Sequence, residues 1–323
     1  MSGLARTWVI VLAGGGSGPP VSPNGHVANA HRHPFGALLQ PQSLLEMTLS
    51  RARLIVPHER ICVLVDHAQK RDSSGSLTRQ SHGNVIIQPR HRGSAVEILL
   101  ATLTILKRDP WARILALPAH HYVHDEPALE RSLLDAATPT GQTRDKLTLV
   151  GITPEHADSE LGFIVPGRWF EDGTRGVRRI LHPFGKVSPR EMWACGALWD
   201  SSIVAARAVD LLRVLRARMP DLVDQLEMAL AQSDGPEARA GALTELYTRL
   251  PFVDFSNVLS PGAEMECRVI TAGSCGWSDL RTAQGVTAVI RRLQLAQPRA
   301  KGAGRAKHTI SPRVVSTLMK VEP

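Results

Sequence analysis

Apolar residues fall into short continuous runs in the first half of the chain, with amphipathic segments between them. The runs predict buried strands, because they have strand length and are bounded by turn-forming residues. These strands are Trp8–Leu12, Ile61–Val65, Val85–Ile87 and Ile114–Leu117. Helical spacing predicts helices over Ser43–Arg53 and Ser94–Lys107, the second with Ser94 as N-cap and Glu97 completing a capping box.

The second half of the chain mixes both periods. Its predicted strands are Leu147–Gly151, Gly162–Pro166, Val253–Leu259 and Met265–Ile270. Its predicted helices are Ile203–Met219, Asp224–Ala231 and Glu237–Leu250. Pro220 is expected to end the first of these helices, because proline cannot continue one. Composition predicts an irregular loop over residues 19–34 and disorder beyond about Leu295, where the periodicity is lost.

The order of these elements indicates the fold class. Strands separated by helices need crossover connections, which favour parallel pairing and a sheet covered on both faces. The pattern therefore predicts an α/β fold with a mostly parallel central sheet and helices on both faces. With 323 residues and 43% hydrophobic content, the chain can bury one large core. We expect one domain over residues 1–290 and a basic, flexible tail over residues 291–323.

The formal net charge of +8 is concentrated in that tail. Residues 291–323 hold eight Lys or Arg and one Glu, which gives +7 and leaves about +1 for the rest. We interpret the tail as a solvated segment rather than a nucleic-acid contact. The four cysteines form no C-x-x-C pair, which argues against a zinc ribbon and favours a reducing, cytoplasmic setting. The apolar run Trp8–Ala13 is too short for a signal peptide or a membrane span.

A glycine-rich run, Gly14 to Gly18 around Ser17, follows the first predicted strand. Such a run lets backbone N–H groups approach anionic oxygens, so it predicts a phosphate or nucleotide cradle, with a tight turn as the alternative. No Gly-Lys-Ser/Thr follows, so the run is not a P-loop. Val21 stands at the third glycine of the dinucleotide fingerprint, which disfavours simple NAD binding.

Short motifs follow one another in a fixed order between residues 8 and 290. They are L-A-G-G-G-S-G (12–18), S-L-L-E (43–46), Q-P through R-G-S-A (88–95), L-P-A-H-H-Y (117–122), L-G-F-I (161–164), G-A-L-W-D-S (196–201), D-F-S (254–256) and G-W-S-D-L (276–280). In this order they resemble the motifs of the sugar-1-phosphate nucleotidylyltransferase family. The G-A-L-W and G-W-S-D-L motifs resemble its mannose-1-phosphate guanylyltransferase branch.

The resemblance implies a Rossmann-like nucleotide-diphospho-sugar transferase fold and a Mg²⁺ cofactor. It implies that a phosphate oxygen of mannose 1-phosphate attacks the α-phosphorus of GTP, so that pyrophosphate leaves and GDP-mannose forms. The implied nucleotide-binding residues are Leu12, Ala13, Gly14, Gly15, Gly16, Gly18, Gln88, Arg92, Gly93 and Ser94. The implied sugar contacts are Gly162 and Asp200, the implied metal ligands are Asp279 and His120, and the implied catalytic residues are Lys186, His33 and Arg32.

Several of these positions depart from the family's pattern. Pro20 stands at the loop arginine, and His33 stands at the lysine of P-K-Q-F, with Arg32 beside it as a substitute cation. His120 replaces a metal-binding aspartate, and a neutral imidazole is a poor ligand for Mg²⁺. Asp200 replaces a sugar-contacting asparagine. Because each electrostatic group in such a site is worth about 3–4 kcal/mol, the departures predict impaired catalysis.

Two interpretations of the function therefore stay open. One is a guanylyltransferase with weak turnover, and the other is a non-catalytic nucleotide or sugar-nucleotide binding protein. Both predict GTP and mannose 1-phosphate or related small molecules as ligands, with no membrane or nucleic-acid partner, and both leave a homo-oligomer open. A zinc site of His120, His121 and His124 is a weaker interpretation, because the L-P-A-H-H-Y motif already accounts for His121. Ser17 lies outside any G-x-S-x-G, so a hydrolase triad has no support.

Overall fold

The computed structural model describes residues 4–14, 43–72, 74–78, 80, 82–138, 145–182, 188–232 and 235–296. The strands are β1 Thr7–Leu12, β2 Ile61–Asp66, β3 Val85–Gln88, β4 Arg113–Pro118, β5 His121–Tyr122, β6 Leu147–Ile152, β7 Phe163–Trp169, β8 Arg175–Leu181, β9 Leu198–Arg207, β10 Cys267–Ala272 and β11 Ser278–Asp279. The helices are α1 Leu44–Ile55, α2 His67–Asp72, α3 Ser74–Leu77, α4 Ser94–Leu106, α5 Glu126–Ala137, α6 Pro189–Ala194, α7 Ala208–Arg218, α8 Pro220–Leu230, α9 Pro236–Arg249, α10 Phe255–Leu259 and α11 Ala283–Ala296.

Nine strands form one central sheet in the order β3-β2-β1-β4-β9-β6-β10-β8-β7. The first four strands of this order pair in parallel, as the alternation of strands and helices predicted. Strand β9 then runs antiparallel between β4 and β6, and β8 pairs antiparallel with both β10 and β7. The α/β fold is confirmed, and the sheet is parallel in its first half and mixed in its second.

Strand β1 lies at the centre of two hydrophobic cores, one on each face of the sheet. Ile10 and Leu12 belong to the core that contains α4, α7 and α8. Val9 and Val11 belong to the core that contains α1 and α5. Successive side chains of a strand point to opposite faces, so a strand covered on both sides needs a continuous apolar run. The predicted coverage of both faces by helices is confirmed.

The predicted helix Ile203–Met219 is wrong over its first part. Residues up to Arg207 belong to β9, and the helix is α7, Ala208–Arg218. The run Ile203–Ala206 is buried and pairs with β4, but a short alanine-containing apolar run does not distinguish a buried strand from a buried helix. Pro220 does not only end a helix but begins α8, because the first helical position needs no N–H donor.

Two smaller predictions also need correction. The predicted strand Val253–Leu259 is helix α10, Phe255–Leu259, with Asp254 at its N-cap position. The N-cap of α4 is Gly93, at φ 92°, and Ser94 is the first helical residue, so the predicted capping box is absent. The side chain of Glu97 turns instead to the loop after β3, as described below.

The C-terminal helix α11 extends to Ala296, past the predicted domain boundary at residue 290. Residues 297–323, which include most of the predicted basic tail, lie outside the described residues, and so does the predicted loop over residues 19–34. Within the described ranges, no helix combines the length and apolar character needed to cross a membrane.

Candidate active site

The ends of the parallel strands bring the predicted motifs to one edge of the sheet. Gly14 follows β1, Gln88 is the last residue of β3, and His120 follows β4. Ligands of open α/β sheets bind beyond the carboxyl ends of the strands, which is this edge. The first residue of the glycine run therefore lies where a nucleotide cradle is expected.

Gly14 packs directly against buried polar side chains. A Cβ atom at this position would lie 1.9 Å from Glu97 Oε1 and 2.1 Å from Gln88 Nε2. No residue with a side chain fits there without displacing these groups. The close approach explains why glycine is required at Gly14, which is itself buried at the end of the strand.

Glu97 is the centre of this polar cluster. Gln88 Nε2 donates to Glu97 Oε1 at 2.5 Å, and His91 Nδ1 lies 2.8 Å from the same oxygen. Burial would lower the pKa of His91, but the hydrogen bond and the charge of Glu97 outweigh burial and raise it. This role of Glu97 was not predicted, although a carboxylate in an otherwise apolar helix is a signal that it has partners.

The loop at 92–94 is held by its backbone against the segment before α10. Val253 N–H donates to Arg92 O at 2.9 Å, and Ala95 N–H donates to Val253 O at 3.0 Å. A Cβ on Gly93 would lie 2.2 Å from Val253 O, and its φ of 92° also favours glycine. The hydroxyl of Ser94 accepts from Phe255 N–H at 2.9 Å. Gly93 and Ser94 thus hold the loop in place.

The side chain of Arg92 does not reach freely into the cleft. Its Nε and Nη2 donate to Tyr247 O at 2.9 and 2.7 Å, and Nη2 also donates to Thr248 O at 3.1 Å. These carbonyls lie in the last turn of α9, where helical hydrogen bonds end. Arg92 therefore caps α9, and contact with a nucleotide would require it to exchange these bonds.

The two predicted sugar-binding residues are direct neighbours. Asp200 N–H donates to Gly162 O at 2.9 Å across the junction of β7 and β9. The carboxylate of Asp200 accepts from Ser202 N–H at 2.8 Å and from Ser256 Oγ at 2.6 Å. Ser202 has a positive φ of 56°, which is uncommon for a residue other than glycine. The structure brings these two positions together with the D-F-S motif.

The two predicted metal-binding positions also meet, although they are far apart in sequence. Strand β5 pairs antiparallel with β11, which sets Asp279 opposite His121, and Leu280 N–H donates to His120 O at 3.1 Å. His120 Nε2 lies 3.6 Å from Asp279 Oδ2. The predicted convergence of His120 and Asp279 is thus observed.

Arg281 was not predicted, and it contacts Asp279 more closely than His120 does. The backbone N–H of Arg281 donates to Asp279 Oδ1 at 2.8 Å, and Nη2 donates to Oδ2 at 2.8 Å. Burial alone would raise the pKa of the Asp279 carboxyl, but Arg281 and His120 hold it below its usual range. Arg281 stands directly after G-W-S-D-L, so a cation two residues from the expected metal-binding aspartate was visible in the sequence.

His121 completes a compact group with His120 and Asp279. One ligand atom from each of the three lies within 4.8 Å of the others. Burial lowers the pKa of His121 to about 3, so its ring is neutral near pH 7. His124, the third residue of the predicted zinc site, lies outside this group, and its Nδ1 is 3.4 Å from the Tyr122 hydroxyl. His120, His121 and His124 thus do not form the three-histidine site that was the weaker interpretation of the sequence.

This group does not suit Mg²⁺. The ion prefers an octahedron of oxygen ligands, whereas two of the three residues offer imidazole nitrogen. Both oxygens of Asp279, the one carboxylate, are hydrogen-bonded to Arg281. The cation that neutralises Asp279 is a guanidinium.

The two sides of the cleft are electrostatically connected. Burial lowers the pKa of Arg281, but Asp279, Asp254 and Asp200 outweigh burial and raise it. The charges of Asp254 and Arg281 also act on His91. The charged groups around β3, β9, α10 and β11 are thus near enough to act on one another. Outside the described residues lie Lys186, His33, Arg32, Gly15, Gly16 and Gly18, whose roles stay predictions.

Comparisons with known proteins agree with this fold and motif order. No protein-family model matches the chain. Alginate biosynthesis protein AlgA of Pseudomonas syringae pv. tomato is 25% identical over 276 residues, which cover 84% of this chain and 56% of the relative. Mannose-1-phosphate guanylyltransferase of Klebsiella pneumoniae is 24% identical over 281 residues, which cover 84% of this chain and 57% of the relative.

The chain spans about half the length of these curated relatives. Among solved structures, a Thermus thermophilus protein described as mannose-1-phosphate geranyltransferase superposes with a TM-score of 0.73 at 23% identity, covering 91% of this chain and 81% of that one. At this identity the superposition demonstrates the shared fold. In motif order and in sequence the chain is thus similar to sugar-1-phosphate nucleotidylyltransferases, at 24–25% identity, and it shares the fold of the Thermus thermophilus protein.

Proposed function

We propose that this chain binds a guanine nucleotide and a mannose 1-phosphate-type sugar phosphate in the cleft, and that its nucleotidyl transfer is weak. The nucleotide phosphates would lie at the glycine run after β1, whose first residue packs against Gln88 and Glu97. The sugar would lie near Gly162 and Asp200. The choice of mannose 1-phosphate and of a guanine nucleotide rests on the similarity to mannose-1-phosphate guanylyltransferases.

The observation that carries the proposal is the pair of Asp279 and Arg281. Transfer needs neutralisation of the charge that develops on the phosphates while the sugar phosphate attacks and pyrophosphate leaves. Here Arg281 neutralises the carboxylate of Asp279 at one expected metal-binding position. The residue at the other expected metal-binding position is His120. Mg²⁺ would therefore bind weakly, and Lys186, Arg32 and His33 would have to supply the remaining positive charge.

A specific observation also favours a second candidate, a sugar-nucleotide binding protein without turnover. The side chain of Arg92 is held by carbonyls of α9, so a cation expected to bind the nucleotide is committed to structure. The four free cysteines fit the cytoplasmic setting of nucleotide-sugar synthesis for both candidates.

One experiment separates these possibilities. The full chain is incubated with GTP, Mg²⁺ and mannose 1-phosphate, pyrophosphate release is measured, and the affinities for GTP and GDP-mannose are measured by calorimetry. We expect measurable binding with turnover far below the usual range of about 1–1,000 per second. Ordinary turnover would contradict the proposed impairment. Binding without any turnover would favour the second candidate, and absence of both binding and turnover would contradict both.

A further inference from the structure

Arg281 surrounds the carboxylate of Asp279 in the way that a bound cation would. Its Nε lies 3.2 Å from each carboxylate oxygen, its Nη2 lies 2.8 Å from Oδ2, and its own backbone N–H reaches Oδ1. The carboxylate is 5% exposed, whereas the arginine side chain is 49% exposed. The charge of Asp279 is therefore satisfied from the cleft side by a group of this chain.

The turn that presents Arg281 is built into the start of α11. Thr282 N–H and its hydroxyl both donate to Asp279 O, at 3.2 and 3.1 Å. A Cβ on Gly285 would lie 2.1 Å from the same carbonyl oxygen, so the turn and the helix are in close contact. Because the arginine is only two residues from its partner in a fixed turn, its contact with Asp279 is local and pre-organised.

The other side of Asp279 is occupied by histidine. His120 Nε2 lies 3.6 Å from Oδ2, and the buried, neutral His121 packs against both His120 and Trp277. A divalent ion at Asp279 would have to displace the guanidinium of Arg281 and would remain close to its positive charge. At a separation of about 4 Å, two like charges near a protein surface still repel each other strongly.

We infer that Arg281 takes the place of a divalent cation on Asp279, so that phosphate groups bind in this cleft without a metal ion. The guanidinium fits this role because it is always charged and presents five N–H donors, of which Nη1 makes no hydrogen bond within the described residues. An arginine that is already paired can still donate to a phosphate oxygen through its free edge. The identity of the phosphate ligand rests on the proposed function, whereas the exclusion of the metal does not.

The metal half of the inference is tested with Mn²⁺ alone. Mn²⁺ accepts both oxygen and imidazole ligands, and its free concentration is read from its electron paramagnetic resonance signal. We expect the full-length wild type not to bind Mn²⁺ at this site and Arg281→Ala to gain affinity by about tenfold or more, since a repelling charge is removed. Adding Asp279→Asn to Arg281→Ala should abolish the gain.

Arg213→Ala is the matched control. Arg213 is similarly exposed and also pairs with a carboxylate, Glu266 at 2.9 Å, but it lies on α7. It should leave Mn²⁺ binding unchanged. Tight Mn²⁺ binding by the wild type that Asp279→Asn removes would overturn the inference, and so would an Arg281→Ala variant that gains nothing.

The phosphate half is tested by calorimetry with GTP and GDP-mannose, in EDTA and in Mg²⁺. We expect wild-type affinities that agree between the two buffers, and in EDTA an affinity about tenfold lower for Arg281→Ala than for Arg213→Ala. Wild-type binding that requires Mg²⁺ overturns the inference and leaves the proposed function intact. No binding in either buffer overturns the proposed function together with this half, and the Mn²⁺ result then still decides the role of Arg281.

Discussion

Arg51 on α1 and Glu126 on α5 form a two-point ion pair beneath the site. Arg51 Nε donates to Glu126 Oε2 at 2.8 Å, and Arg51 Nη2 lies 2.6 Å from Oε1. The arginine side chain is 1% exposed, whereas the glutamate is about one-third exposed. The pair joins α1, which begins within the S-L-L-E motif, to α5 on the same face of the sheet.

Removing the glutamate should therefore cost more than removing both partners. Glu126→Ala leaves a buried guanidinium without its counter-charge, and we expect it to lower the free energy of unfolding by about 3 kcal/mol. The double variant Arg51→Met with Glu126→Ala should recover much of this loss, because no buried charge remains. Urea unfolding measures both.

The surface pair of Arg216 and Glu227 supplies the control, since both side chains are about 40% exposed. Glu227→Ala should change the free energy of unfolding by no more than about 1 kcal/mol. Equal losses for Glu126→Ala and Glu227→Ala would show that the buried pair has no special weight.

Gly14→Ala should disturb the cleft and the core together. The new methyl group would overlap Glu97 Oε1 and Gln88 Nε2, so these buried groups must shift or lose their mutual hydrogen bond. We expect a loss of about 1–3 kcal/mol in stability, as for overpacked cores, and weaker GTP binding. Urea unfolding and calorimetry measure the two effects.

Gly241→Ala is the comparison for that variant. Gly241 lies within α9 with no atom near its missing Cβ, so alanine should stabilise the helix by about 1 kcal/mol. If Gly14→Ala raised the free energy of unfolding as Gly241→Ala should, the close packing proposed at the end of β1 would be wrong.

The pair of His91 and Glu97 should make stability depend on pH. The pKa of His91 is raised in the folded state, because Glu97 outweighs burial. Its stabilising contribution is thus fully present below the unfolded-state pKa of about 6.5 and is lost as the pH rises through the folded-state pKa. The free energy of unfolding of wild type relative to His91→Gln should therefore fall as the pH rises above the unfolded-state pKa.

Urea unfolding at several pH values measures this difference, and the ring signals of His91 in NMR spectra report its pKa directly. His58 is a suitable control residue, because its side chain is exposed and pairs with its exposed neighbour Glu59. His58→Gln should show little pH-dependent difference from wild type. A wild-type advantage over His91→Gln that grows with rising pH would contradict the assignment.

The sequence predicted the features that depend on local pattern and missed those that depend on tertiary contact. The run Trp8–Leu12 was recognised as a buried strand because β1 is covered on both faces. The same kind of run at Ile203–Ala206 was taken for helix, because a short apolar segment carries no period. The role of Glu97 depends on Gly14 and Gln88, which the fold brings next to it. The role of Arg281 depends on Asp279, towards which a turn orients it.

The motif comparison identified His120 as a departure but not what compensates for it. His120 and Asp279 were expected to meet because both were aligned with metal-binding positions, and they do meet. The guanidinium of Arg281 on Asp279 changes what a substitution at His120 is expected to do. Restoring an aspartate at His120 alone would place two carboxylates beside Arg281 and strengthen an internal ion pair instead of creating an open metal site.

The effects of His120 and Arg281 on Mg²⁺ binding should therefore be coupled. We expect His120→Asp to gain little Mg²⁺ affinity, Arg281→Gly to gain little because imidazole remains, and the double variant to bind Mg²⁺ and to show Mg²⁺-stimulated GTP binding. The coupling energy of this double-mutant cycle should exceed about 1 kcal/mol, because each change removes an obstacle that the other leaves in place. Calorimetric titration of Mg²⁺ with and without GTP measures it. If His120→Asp alone produced Mg²⁺-dependent GTP binding, Arg281 would be a bystander at Asp279, and the impairment would lie with the imidazole ligand alone.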